Sequence, residues 1–174
     1  MQRRTFLHTV LGVAVVACAT SLLGGCGFKL RAAQAMPFNT IAVTPEQGGG
    51  VAGYMARYFS SSLVPVAPGA GGVPPDVILD IVQEVPEKIV VGVNTAGQVR
   101  EYQLRLRLLF KLRTPQGREL IGLTEIEQTR DISFNESIVL AKESEEALLY
   151  RDMQTDIAQQ LLRRLAAVKT TGAP

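Results

Sequence analysis

Cys26 carries a thiol that can be acylated, and its setting says that it is. It follows Leu23-Gly24-Gly25, behind an almost wholly apolar or small stretch from Leu11 to Leu23 and a basic start at Arg3 and Arg4. A basic n-region, a short apolar core and small residues before a cut site make an export signal. The apolar stretch is too short to span a bilayer comfortably. Residues 1–25 are therefore expected to be cleaved as a lipoprotein signal peptide, leaving Cys26 to carry a diacylglycerol and an acyl chain. Arg3-Arg4-Thr5-Phe6-Leu7 also fits a twin-arginine signal, so that route and the general export route both stay open.

Cleavage removes much of the reactive inventory. Taking 25 of the 174 residues leaves 149, the size of one ordinary domain. Cys18 goes with the signal and Cys26 is acylated, so no thiol remains for a disulfide, a metal or a nucleophile. His8, the single histidine, is lost as well, which weakens any case for triad or zinc chemistry. The 18 Lys+Arg lose Arg3 and Arg4, leaving 16 against 16 Asp+Glu, and a formally neutral domain is no candidate for nucleic acid.

Carboxylates at Asp80, Glu84 and Glu87 could in principle share acid and base roles. On a strand, however, they read as a solvated face opposite an apolar one. Gly48-Gly49-Gly50 lacks the Lys-Ser/Thr of a phosphate loop and reads as a flexible link. Arg105, Arg107, Lys111 and Arg113 could meet anionic lipid, or could simply form a charge ladder with acids on a neighbouring strand. Tyr102 and Tyr150 fall in apolar rows and read as core. No metal site or cofactor follows from any of these.

The elements that would position these groups are legible from periodicity. Residues 38–44 are rich in β-formers and stop at Pro45, predicting a strand. Val51, Tyr54, Met55, Tyr58, Phe59 and Ser62-Leu63 recur at helical spacing. The Gly/Pro-rich residues 65–75 make a loop. From Asp76 the apolar residues Val77, Leu79, Ile81, Val85, Ile89, Val91 and Val93 all hold odd positions, predicting one long strand bent at Pro86 with its parity kept. After the turn residues Asn94 to Gly97, Tyr102, Leu104, Leu106, Leu108, Phe110 and Leu112 define a second long strand. Thr114-Pro115-Gln116-Gly117-Arg118 reads as a hairpin with Gly117 in the left-handed region. If Thr114 faces Arg118, Arg107 falls opposite Glu125, Arg105 opposite Glu127 and Phe110 near Gly122. A long amphipathic helix follows Asn135. Its inner face is Tyr150, Met153, Ile157, Leu161, Leu165 and Val168, with Glu143, Glu145 and Glu146 early and Arg163, Arg164 and Lys169 late. The order is β-α-β-β-β-α, an α+β domain over 38–169 with a tether at 26–37 and a tail at 170–174.

Four stretches, in this order, resemble the lipopolysaccharide-assembly lipoprotein family LptE. They are Cys26-Gly27-Phe28-Lys29-Leu30-Arg31, Gly97-Gln98 with Glu101-Tyr102-Gln103-Leu104, Leu140-Ala141-Lys142-Glu143, and Ala158-Gln159-Gln160-Leu161-Leu162-Arg163-Arg164-Leu165. The resemblance implies a four-stranded mixed sheet with two helices on one face. It implies a non-catalytic plug and assembly partner of the large outer-membrane β-barrel LptD, anchored by lipid, that delivers lipopolysaccharide to the surface. Gly27 after the cysteine is in keeping with an outer-membrane destination. Lys142 occupies the basic position of the family's Leu-Ala-Lys stretch and is the expected contact for lipopolysaccharide phosphate. Relatives place a basic residue near the preceding hairpin, where this chain has Val93-Asn94-Thr95-Ala96, and Arg100 is the substitute. The rival readings are a hydrolase using the strand carboxylates and another envelope lipoprotein with a different barrel or cell-wall partner.

Overall fold

The computed structural model describes residues 35–135 and 139–169. Cys26, the signal peptide, most of the tether and the 170–174 tail lie outside the described residues. The elements run β1 (Ile41–Thr44), α1 (Gly50–Tyr58), β2 (Val77–Val93), β3 (Val99–Arg113), β4 (Glu119–Ser133) and α2 (Val139–Ala166). The four strands form one sheet in the order β1-β2-β3-β4, with β1 parallel to β2 and the other pairs antiparallel. Both helices bury their apolar stripes in one core with the same face of this sheet. The α+β fold expected from the sequence is the fold observed.

The core is built from the even row of β3. Leu104, Leu106, Leu108, Phe110 and Leu112 are buried, and Val51 and Met55 of α1 and Met153, Ile157, Leu161 and Leu165 of α2 close over them. Tyr150 and Val168 flank this cluster as partly buried residues. Among the described residues no helix is long and apolar enough to cross a membrane.

Each of the first three elements departs from the sequence reading. Strand β1 begins at Ile41 rather than 38, because Phe38 turns onto Phe59 with ring centroids 6.0 Å apart, and Asp76 accepts the N–H groups of Asn39 (2.8 Å) and Thr40 (3.1 Å). Helix α1 ends at Tyr58 instead of reaching Leu63. The chain from Ser62 is drawn to the sheet edge, where Ile41 N donates to Ser62 O and Val64 N to Ile41 O, both at 3.0 Å.

The third departure is in β2. It is one strand, but its parity does not hold. Ile81 pairs with Phe110 and Gln83 with Leu109, so Val82 is an extra residue, a β-bulge. Before it, Val77, Leu79 and Ile81 face the core. After it Glu84, Pro86, Lys88 and Val90 align with the inward row of β3, while Val85 and Ile89 align with Arg107 and Gln103 on the helix-free face. Val91 and Val93 end up 50% and 60% exposed. Pro86 itself stays in register with Leu106. Because β1 pairs only with Val77–Asp80, β2 is an edge by the time it reaches Pro86, which is where a sheet tolerates proline.

Candidate functional site

The switched parity gives the polar groups of β2 two separate jobs. Glu84, now on the helix side, accepts Val51 N at 2.9 Å and Gln154 Nε2 at 2.8 Å, so one carboxylate ties the start of α1 to α2. An acid at a helix N-terminus meets otherwise unpaired N–H groups and a favourable dipole. Gly50 makes this approach possible: its φ is +56°, and a Cβ there would stand 2.5 Å from the Glu84 oxygens. Lys88 likewise reaches α2, 2.6 Å from Glu146, with its ammonium 4.5 Å above the Tyr102 ring.

The helix-free face carries charge stripes. Asp80 of β2 accepts from Arg113 Nε at 2.7 Å and Thr44 Oγ1 at 2.8 Å, with Lys111 4.0 Å away. Glu87 is bonded to Arg107 and lies 3.8 Å from Arg105, which is itself 3.8 Å from Glu127 of β4. Burial alone would raise the Asp80 carboxyl. The hydrogen bonds from Arg113 and Thr44 and the charges of Arg113 and Lys111 outweigh it and hold Asp80 below the usual carboxylate range. The basic row of β3 is thus a cross-strand ladder, not an open cationic patch. The ladder's register differs from that expected: Arg107 faces Glu127, Arg105 faces Thr129 and Phe110 faces Thr124. The hairpin forms as expected, with Thr114 N donating to Arg118 O at 2.8 Å and Gly117 at φ +90°, but irregularities between Phe110 and Arg113 shift every later pair. Asp80, Glu84 and Glu87 do not converge, and Glu84 sits on the face opposite to the one expected, so no paired-carboxylate centre forms from them.

Lys142 and Arg100 come to one end of the sheet. Glu101 pairs with Ser133, and Phe134 N donates to Arg100 O at 2.8 Å. Lys142 Nζ lies 3.1 Å from Ser133 Oγ and 2.8 Å from Glu145 Oε2, leaving its side chain 16% exposed. Helix α2 opens at Val139, so its first turn holds Lys142 and no acid, contrary to the acidic start expected. A cation there opposes the helix dipole, and Glu145, one turn on, offsets it. Arg100 is exposed and is the extra residue where β2 and β3 slip between Glu101 and Val99; its guanidinium donates to Gln98 Oε1 at 3.3 Å. Bulges re-aim side chains in this way. At this end of the sheet the Tyr102 and Phe134 rings meet edge-on, 5.3 Å apart. Sequence reasoning named the two cations but not their neighbours Ser133, Gln98 and Phe134. Of these only Gln98 lay in a stretch already singled out. Chemically, the arrangement offers two cations to an anionic ligand, one preset by a hydroxyl and a carboxylate and one open to solvent.

Comparison with known proteins places the fold. Residues 38–165 match the family described as LptE: Lipopolysaccharide-assembly. The chain is similar to the solved structure of lipoprotein B from Nitrosomonas europaea, at 34% identity and a TM-score of 0.65, covering 81% of this chain and 91% of that one. It shares its fold with rare lipoprotein B from Shewanella oneidensis (19% identity, TM-score 0.58, 74% and 92% covered). A minor lipoprotein from Acinetobacter baumannii matches similarly (18%, 0.59, 76% and 94%). No curated protein matches. With the family match spanning nearly all the described residues, the chain belongs to the LptE family of lipopolysaccharide-assembly lipoproteins.

Proposed function

We propose that this chain is held at the outer membrane by lipid on Cys26, and that it acts there as plug and assembly partner of an LptD-like β-barrel, binding lipopolysaccharide without catalysis. The observation that carries the reading is the family match over 38–165, and it is supported by the placing of Lys142, through Ser133, and Arg100, through Phe134, at the same end of the sheet. A barrel lumen is polar, so a plug needs a compact domain with a charged outer surface. The charge ladder of β2, β3 and β4 supplies one. Several acyl chains on one cysteine give durable attachment where a single chain would not.

Phosphate on the ligand would compete with Glu145 for Lys142, while Arg100 would meet a second anionic oxygen as a planar fork. Charge-assisted hydrogen bonds contribute about 1.5–3 kcal/mol. Lys142→Glu is therefore expected to weaken lipopolysaccharide binding by roughly tenfold or more with the circular dichroism spectrum unchanged. Arg100→Glu is expected to act in the same direction. Unchanged affinity in both variants would remove this end of the sheet from the ligand site.

A further inference from the structure

The sheet has edges of very different kinds. At β1 the outer side is engaged through Ile41, which bonds to the 62–64 segment. Where β2 becomes an edge, beyond Asp80, it carries bulges around Val82 and Val91 and a proline at position 86. These are the devices by which edge strands refuse a partner. Strand β4 has its two irregularities at the beginning, between its pairings at Glu119 and Ile121 and between those at Ile121 and Thr124. From Thr124 to Ser133 it runs in unbroken register with β3.

The direction of its free groups follows from the ladder. Phe134 N points to β3, where it meets Arg100 O, so the even residues of β4 bond inward and the odd residues present N–H and C=O outward. Arg130 gives an independent check: its guanidinium reaches round to Thr129 O at 2.8 Å, an oxygen that is outward on this reckoning. Among the described residues no backbone group pairs with the outer side of Glu125, Glu127, Thr129 or Asp131.

The charge stripes say what would fit there. On the helix-free face β2 presents Asp80 and Glu87, β3 presents Arg105, Arg107, Lys111 and Arg113, and β4 presents Glu125, Glu127 and Asp131. Acidic, basic and acidic rows alternate across the sheet, and the outermost row is acidic. Opposite charges facing across a strand pair stabilise and like charges destabilise. A second copy of β4 is disfavoured, because every antiparallel register centred between Glu125 and Thr129 sets acid against acid. We infer that β4 is a docking edge for an extended segment of a partner protein carrying Lys or Arg at alternate positions. That segment adds a fifth strand whose basic row lies beside Glu125, Glu127 and Asp131, using main-chain bonds for affinity and the charge row for register.

The test measures residue-resolved amide exchange on the mature protein with a capped Lys-Val-Lys-Val-Lys-Val-Lys peptide, and with its Glu-for-Lys counterpart. The lysine peptide should slow exchange at Glu125, Glu127, Thr129 and Asp131, and the glutamate peptide should not. Thr129→Pro removes an N–H that β3 does not use and should weaken binding by roughly tenfold. Glu127→Lys, which leaves the backbone intact, should weaken it at least as much. Absence of slowed exchange at the odd residues would overturn the proposal, as would binding that neither variant weakens. Protection that appears without peptide as protein concentration rises would overturn it too, by making a second copy the occupant.

Discussion

At the scale of single residues, charge pairing decides most outcomes. Asp80 is the clearest case, with its side chain 14% exposed and bonded to both Arg113 and Thr44. Since its folded pKa lies below the unfolded value of about 3.9, the stability it contributes is complete above that value and is lost as the pH falls through the lowered pKa. Asp80→Asn is expected to reduce stability at neutral pH by about 1–2 kcal/mol and to flatten the acid limb of a denaturation profile, measured by urea unfolding between neutral and acidic pH. An acid limb as steep as the parent's would show that the Arg113 pair does not govern it. Lys142 was legible as the cation at the family's basic position, and Arg100 only as a substitute for the one missing near the hairpin. Their settings were not: the Ser133 hydroxyl beside Lys142 and the bulge at Arg100 depend on how strands slip against each other, which no spacing rule records.

At the scale of elements, the pattern gave the type and order of every strand and helix, and its facing and register erred where residues were inserted. A single bulge at Val82 sends Val85 and Ile89 to the helix-free face and Glu84 to the helices, because a period of two inverts with each extra residue. The apolar residues Val85, Ile89, Val91 and Val93 share one parity and concealed the switch, since a valine fits either side of a strand. The β3–β4 register failed for the same reason. The faces were still assigned correctly, because a slip of two residues preserves parity. The bulge has a structural return in the Glu84 link between helices, and that link depends on Gly50. Gly50→Ala forces a side chain into the left-handed region and against a carboxylate 2.5 Å away, so it should destabilise by about 2 kcal/mol or more. Gly49→Ala, at φ −85° with nothing within 4 Å of a Cβ, should cost less than half as much. Equal losses in thermal or urea unfolding would mean that the Glu84 contact carries no special weight.

At the scale of the whole molecule, the described residues form one sheet backed by two helices and faced with paired charge. The fold class was readable because helix and strand periods are strong in long elements such as β3 and α2. The partner was not readable from patterning, since contact with a polar lumen requires no apolar patch. Cys26→Ala should release the protein from membranes after extraction that leaves the parent bound, and continued attachment would place the anchor elsewhere. The central claim, partnership with a barrel, is tested most directly by purifying the tagged full-length protein from its own membranes in mild detergent and identifying what stays with it. The account predicts one large outer-membrane β-barrel in one-to-one ratio. Recovery of the protein alone, or with a cell-wall component in place of a barrel, would contradict it.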